Sequence, residues 1–332
     1  MTILRVNNMS VCFHGEDADI FAVQDFSLQL ERGKTIGIVG ESGCGKSTAA
    51  MALMGLLPAS ADVFQGEAFL GDDKIISKQV PYPSNLRGRR IGMIFQDPMT
   101  CLNPFLTIAQ QFAMPLRRHL GLSRSACRTR SIHLLRQVGI PDPAARLARY
   151  PHEFSGGQRQ RLMIALALSC DPEVLIADEP TTALDVTVQA QILQVLKNLQ
   201  QERGLGLILI THDLGVMAQV CDSVMVMYAG RCVERAQTSD LFATPSHPYT
   251  KALLASMPDL HSVPGEPLTT IGGQPPRMTS RAGGCAFAPR CPLADAHCAQ
   301  GIPDHREINH TSDSLHSAAC IKLDATATGT VP

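Results

Sequence analysis

Residues Gly40-Glu41-Ser42-Gly43-Cys44-Gly45-Lys46-Ser47-Thr48 have the types and spacing of a phosphate-binding loop. The pattern Gly40-x4-Gly45-Lys46-Ser47 follows a short apolar run, Lys34–Val39, and precedes a helical pattern over Lys46–Leu57 that stops near Pro58. In that context Gly40, Gly43 and Gly45 let the backbone wrap, so that consecutive N–H groups point at phosphate oxygens. The helix that starts near Lys46 adds its positive end. Lys46 adds a point charge, and the Ser47 hydroxyl is a hard donor of the kind Mg²⁺ prefers. The expected nucleotide-binding set is Gly40, Ser42, Gly43, Gly45, Lys46, Ser47 and Thr48.

Acids follow at the right kind of place. Val174–Ala177 is an apolar strand pattern that runs into Asp178 and Glu179. A buried strand would carry Asp178 to the edge of a sheet where ligands bind. Asp178 would hold Mg²⁺, and Glu179 would polarise the attacking water as general base. Gln96 follows the strand pattern Ile91–Phe95, where an amide can reach both Mg²⁺ and water. His212 follows the run Gly206–Ile210, a position suited to a γ-phosphate contact. A second anion-binding helix start is Ser155-Gly156-Gly157-Gln158, with Ser155 as N-cap before the helix Arg159–Ser169. Spacing alone leaves open whether it serves the same nucleotide or that of a second copy.

The elements that must position these groups read as α/β. Short apolar strands alternate with helical patterns through the first 240 residues, with Val224–Met227 as a further strand, which is the arithmetic of a parallel sheet. Residues 106–150 break that rhythm: they are helical in pattern, Ser123–Val138 above all, and form an expected insertion. His247–Ser256 reads as one short helix, and 11 of the 22 prolines fall after residue 244. The expected division is an ATPase domain over 1–244, a helical subdomain at about 97–157 within it, a Pro- and Cys-rich module over 245–323, and a disordered tail over 324–332.

Composition excludes some roles. The 332 residues carry 29 Lys+Arg against 30 Asp+Glu, so nothing suggests a nucleic-acid partner. No apolar run approaches the roughly 18 residues needed to cross a bilayer, and the N-terminus lacks the core of a signal peptide. A membrane role would come through partners. The 11 cysteines then suit a reducing cytoplasm better than a disulfide framework.

The order of Gly40–Thr48, Gln96, Ser155–Gln158, Asp178-Glu179, Ala183-Leu184-Asp185 and His212 resembles the ATP-binding subunit of an ABC transporter, with its P-loop (RecA-like) core. That resemblance implies a head-to-tail dimer with ATP between the chains. Ser155, Gly156, Gly157 and Gln158 would face the partner's nucleotide, and Asp185 would cross the interface. It also implies an aromatic against adenine, with Phe13 the first choice and Phe21 the second. Phe95–Pro104, Tyr150–Ser155, Asp178–Leu193 and His247–Leu254 resemble, more narrowly, the oligopeptide/dipeptide/nickel importer branch, in its dipeptide-type subunit. Two residues depart from that pattern: Cys101 stands where Ser is usual, and Gln158 where this subunit type often has Met.

The branch implies a related second ATPase, two membrane-spanning permeases contacted by residues 97–150, an extracytoplasmic binding protein, and a place on the inner face of a bacterial membrane. Peptides lead as cargo; nickel or metal chelates are the alternative, and a soluble non-transport ATPase the remote one. Four cysteines, Cys285-x5-Cys291-x6-Cys298-x21-Cys320, can hold zinc or an iron–sulfur cluster. Their surroundings resemble the branch's C-terminal module, some members of which hold a [4Fe–4S] cluster. Zinc and free thiols stay open beside it.

Overall fold

The computed structural model describes residues 1–77, 82–83, 85–182, 184–257, 270–276, 278–279, 283–308 and 316–323. The expected tail over 324–332, and Ala183, lie outside the described residues. The N-terminal half opens with β1 (Thr2–Phe13), β2 (Ile20–Glu31) and β3 (Thr35–Val39), then α1 (Lys46–Leu53), β4 (Ala61–Leu70), β5 (Asp73–Ile76) and β6 (Ile91–Ile94). Five helices follow before the next strand: α2 (Pro98–Cys101), α3 (Ile108–Leu120), α4 (Arg124–Gln137), α5 (Pro143–Arg146) and α6 (Gly156–Ala167). Then come β7 (Val174–Asp178), α7 (Val186–Arg203), β8 (Gly206–Ile210), α8 (Leu214–Val220), β9 (Ser223–Tyr228) and β10 (Arg231–Gln237). The chain continues through α9 (Thr238–Ala243) and α10 (Pro248–Ala255) to two short strands, β11 (Arg306–Glu307) and β12 (Ser317–Ala318).

One sheet has the order β11-β12-β10-β9-β3-β8-β7-β6, and its strands from β9 to β6 are parallel. The strands β3, β7 and β8 are buried at every position, as their unbroken apolar runs require when both faces are covered. Successive side chains point to opposite faces. Val174 and Ile176 therefore join one core with β1, β2, β4 and α1, while Leu175 and Ala177 join another with the helices.

The helix over Lys46–Leu57 is shorter than the sequence pattern suggests. It ends at Leu53, because Gly55 takes a left-handed φ of 60°. The antiparallel sheet β2-β1-β4-β5 was not anticipated from the sequence. The pairing of β1 with β2 carries several register shifts, which blur the alternation that marks such strands.

Residues beyond 245 do not hang free of the sheet. The strand β12 pairs with β10, placing Ala318 opposite Glu234. Glu234 is fully buried and accepts bonds from the backbone of Ser246 (2.8 Å) and His247 (2.9 Å) and from His316 Nε2 (2.8 Å). A buried carboxylate needs such partners, and these three fix the start of α10 and β12 to one point. Phe287 sits 1% exposed between Tyr228 of β9 and Tyr249 of α10, with ring centroids 5.3 Å and 5.4 Å away. Ring pairs of that geometry add about 1 kcal/mol each beyond their burial.

Candidate nucleotide site

The loop after β3 is shaped by close approach. A Cβ on Gly40 would lie 2.1 Å from the carbonyl oxygen of Met227, and one on Gly45 2.2 Å from that of Ala22. Gly45 also takes a φ of 101°, open to glycine but strained for other residues. As N-cap of α1 it offers no side-chain bond, which leaves the first-turn N–H groups for an anion. Lys46 is 6% exposed, and its Nζ donates to the carbonyls of Gly40 (2.7 Å) and Glu41 (2.9 Å). The next hydroxyl, Ser47 Oγ, donates to Asp178 Oδ1 at 3.0 Å. Burial raises the Asp178 carboxyl above its ordinary range, and the Ser47 bond opposes that. Two hard oxygens this close suit Mg²⁺, which would add positive charge to the phosphate oxygens.

Glu179 gathers the ends of the neighbouring strands. Its Oε2 accepts from Gln96 Nε2 after β6 (2.8 Å) and from Thr182 Oγ1 (2.9 Å). His212 Nδ1, after β8, lies 3.3 Å from Oε1. The Glu179 N–H donates to Ile210 of β8 (2.9 Å), and its φ of 47° is left-handed. A non-glycine residue there costs about 1 kcal/mol, a strain of the kind found where a side chain must be aimed. Lys46, Ser47, Gln96, Asp178, Glu179 and His212 thus meet at one edge of the parallel sheet. A carboxylate held on several sides can orient a water molecule and accept its proton.

Ser155 and Gln158 are joined in a reciprocal cap: Gln158 N–H donates to Ser155 Oγ (3.3 Å) and Ser155 N–H to Gln158 Oε1 (3.2 Å). Gly156 has open space around its missing Cβ, whereas a Cβ on Gly157 would meet Val188 Cγ1 at 2.7 Å. The helix starts at Gly156 rather than Arg159, with Ser155 as its N-cap. Asp185 caps α7 through Val188 N–H at 2.9 Å. Phe13 ends β1 half-buried, opposite Ile20 and Ala61, and Phe21 packs edge-on against Phe64 at 5.8 Å.

Three neighbours of these groups escaped the sequence reading. Thr182 lies three residues past Glu179, close enough to have been weighed. Tyr249 and Arg290 reach Glu41 from 208 and 249 residues away, which no local pattern discloses.

The four C-terminal cysteines line one small cavity with Phe287 and Pro303. No three of their sulfurs lie within 4.8 Å of one another. A tetrahedral zinc site needs sulfurs about 3.8 Å apart, given Zn–S bonds of about 2.3 Å. Burial raises the Cys285 and Cys291 thiols and pushes Cys320 up to about 11, so thiolates would need a cation to form here at neutral pH.

Comparison with known proteins agrees with this geometry. The ABC transporter family matches residues 23–182, and the oligopeptide/dipeptide transporter C-terminal region matches residues 233–298. The dipeptide transport ATP-binding protein DppD of Bacillus subtilis is 48% identical over 312 residues, 93% of this chain and 93% of that protein. The oligopeptide transport ATP-binding protein OppD of Salmonella typhimurium is 47% identical over 301 residues, 91% of this chain and 89% of that protein. Among solved structures, the dimeric ATP-binding cassette MJ0796 with ADP and Pi bound is similar at a TM-score of 0.62 and 26% identity, over 71% of this chain and 98% of that one. With the phosphate loop, the paired acids and their strand-end partners in place, the chain belongs to the ABC transporter ATPases, in the branch that carries the oligopeptide/dipeptide transporter C-terminal region.

Proposed function

We propose that this chain hydrolyses ATP to power peptide uptake, as one of two paired ATPases beneath a permease. The observation that carries the reading is the convergence of Gln96, Thr182 and His212 on Glu179, beside Ser47 and Asp178. Lys46 and the N–H groups of Ser42, Gly43, Gly45, Lys46, Ser47 and Thr48 would hold the phosphates, with Gly40 in the same wrap. Ser47, Asp178 and Gln96 would hold Mg²⁺. Glu179 would take the proton of the attacking water, and His212 would contact the γ-phosphate. Catalysis of this kind is mostly positioning and charge stabilisation.

ATP would lie between this chain and a related second ATPase. The open N-terminus of α6, from Ser155 to Gln158, would face the partner's nucleotide, with Asp185 crossing between the chains. The dimeric MJ0796 cassette supports the pairing of two such chains. Phe13 would stack on adenine.

The division into an ATPase domain over 1–244, with a helical subdomain at about 97–157, and a module over 245–323 is part of the same reading. A cavity of about 410 Å³, lined by Phe95, Cys101, Leu106, Met114 and Met163 among others, lies between β6 and the helices. It suits a permease loop, and Phe105 and Met114 stand exposed nearby. No helix among the described residues is long and apolar enough to cross a membrane, so a peripheral seat under two permeases fits, on the inner face of a bacterial membrane. A binding protein outside would supply the peptide.

Deleting this chain's gene in its host is expected to abolish uptake of a labelled dipeptide, with return on expression of the wild type but not of Glu179→Gln. Unchanged uptake in the deletion strain would rule out the peptide assignment.

Cys285, Cys291, Cys298 and Cys320 would hold a [4Fe–4S] cluster. Chain purified without oxygen is expected to carry about four irons and four acid-labile sulfides. A single zinc, or titration of all four of these cysteines as free thiols, would exclude the cluster.

A further inference from the structure

All three polar groups of Glu41, the residue after Gly40 in the phosphate loop, are held. Its carbonyl accepts from Lys46 Nζ at 2.9 Å. Its N–H donates to the hydroxyl of Tyr249 at 2.9 Å. Its carboxylate takes a two-pronged contact from Arg290, Nη1 to Oε2 at 2.8 Å and Nη2 to Oε1 at 2.9 Å. The Arg290 side chain is 5% exposed and that of Glu41 22%. The remaining donors of Arg290 are fixed as well, on Tyr228 Oη (3.1 Å) and on the carbonyls of Gly272 (2.8 Å) and Ile271 (3.2 Å). Arg290 immediately precedes Cys291, and Phe287 packs the same segment against Tyr228 and Tyr249. A second link runs from Phe21 N–H to the carbonyl of Met278 at 2.8 Å.

A carboxylate beside a triphosphate-binding loop repels the ligand unless it is neutralised. A planar guanidinium bonded to both oxygens does this and also fixes the carboxylate's direction. Because the Glu41 carbonyl shares Lys46 with Gly40, the set of the Glu41 peptide determines how firmly Lys46 is held back from a phosphate.

We propose that Arg290 is a positioning residue for ATP binding: through Glu41 it neutralises and orients the phosphate loop, so that the cysteine-bearing segment sets the chain's affinity for ATP. This rests on the nucleotide site proposed for the chain.

The test uses the full chain and equilibrium binding of a fluorescent ATP analogue with Mg²⁺, beside steady-state hydrolysis. Arg290→Ala is expected to weaken binding about tenfold, a change of about 1.4 kcal/mol, and to raise KM while kcat at saturating ATP stays within about threefold. Arg290→Lys should keep part of the affinity, since an ammonium reaches one oxygen at a time. Adding Glu41→Gln to Arg290→Ala should recover part of the loss, because the unneutralised charge is gone. Wild-type affinity in Arg290→Ala, with Lys46→Ala defective, would overturn the proposal and leave the nucleotide site standing. Wild-type affinity in both variants would instead overturn the site. A fall in kcat with no change in affinity, or a double variant worse than Arg290→Ala, would reduce the pair to a structural staple.

Discussion

Glu179→Gln is expected to bind Mg·ATP with near wild-type affinity and to turn it over at least about a hundredfold more slowly. The amide keeps the size of the carboxylate and stays in reach of Gln96, Thr182 and His212. What it loses is the ability to accept a proton. No neighbour replaces that function easily. Asp178 is occupied by the Ser47 hydroxyl, and His212, whose side chain is 66% exposed, reaches the site through Glu179 Oε1. If the ATP-bound form is a dimer, arresting hydrolysis should accumulate it. Phosphate release would measure turnover, and light scattering with ATP would measure the dimer. Turnover within about threefold of wild type would remove Glu179 from the role of base, because general-base effects run from about a hundredfold to about ten-thousandfold.

The central sheet was legible in the sequence because its strands are buried on both faces. Val174-Leu175-Ile176-Ala177 and Leu207-Ile208-Leu209-Ile210 are unbroken apolar runs, and each leads within two residues to a polar group of the site. Chemistry that sits at strand ends inherits that clarity, so Asp178, Glu179 and His212 fall where the pattern puts them. The antiparallel sheet was not legible, since bulges between Val6 and Met9 and between Met9 and Val11 disturb its alternation. Long-range polar pairing was invisible for a different reason. Arg290 reads as a residue beside a cysteine, and Glu41 as filler between two loop positions. Only the fold brings guanidinium and carboxylate together across 249 residues. The module's attachment through Glu234 and His316 has the same character: a polar pair buried at both ends leaves no local periodicity to read.

Lys46→Ala is expected to weaken ATP binding at least about 30-fold, the equivalent of about 2 kcal/mol for removing a charged partner of the phosphates from a desolvated site. The lysine is 6% exposed, and among the described residues its amine has no acid partner: it rests on the backbone carbonyls of Gly40 and Glu41, with a longer contact of 3.6 Å to Cys44 Sγ. Carbonyls satisfy a buried ammonium only in part, so phosphate oxygens carrying full charge should draw the amine toward them. Removal has a second consequence. It leaves the Gly40 and Glu41 carbonyls without that donor, which loosens the loop in its own right. Lys46→Met separates the two effects, since it keeps the stem of the side chain and drops the charge. Both variants should bind ATP equally poorly, while Lys46→Met should keep the nucleotide-free melting temperature closer to wild type. Binding restored in Lys46→Met would mean that loop packing, not the ammonium, sets the affinity. The phosphate contact of Lys46 would then have to be abandoned.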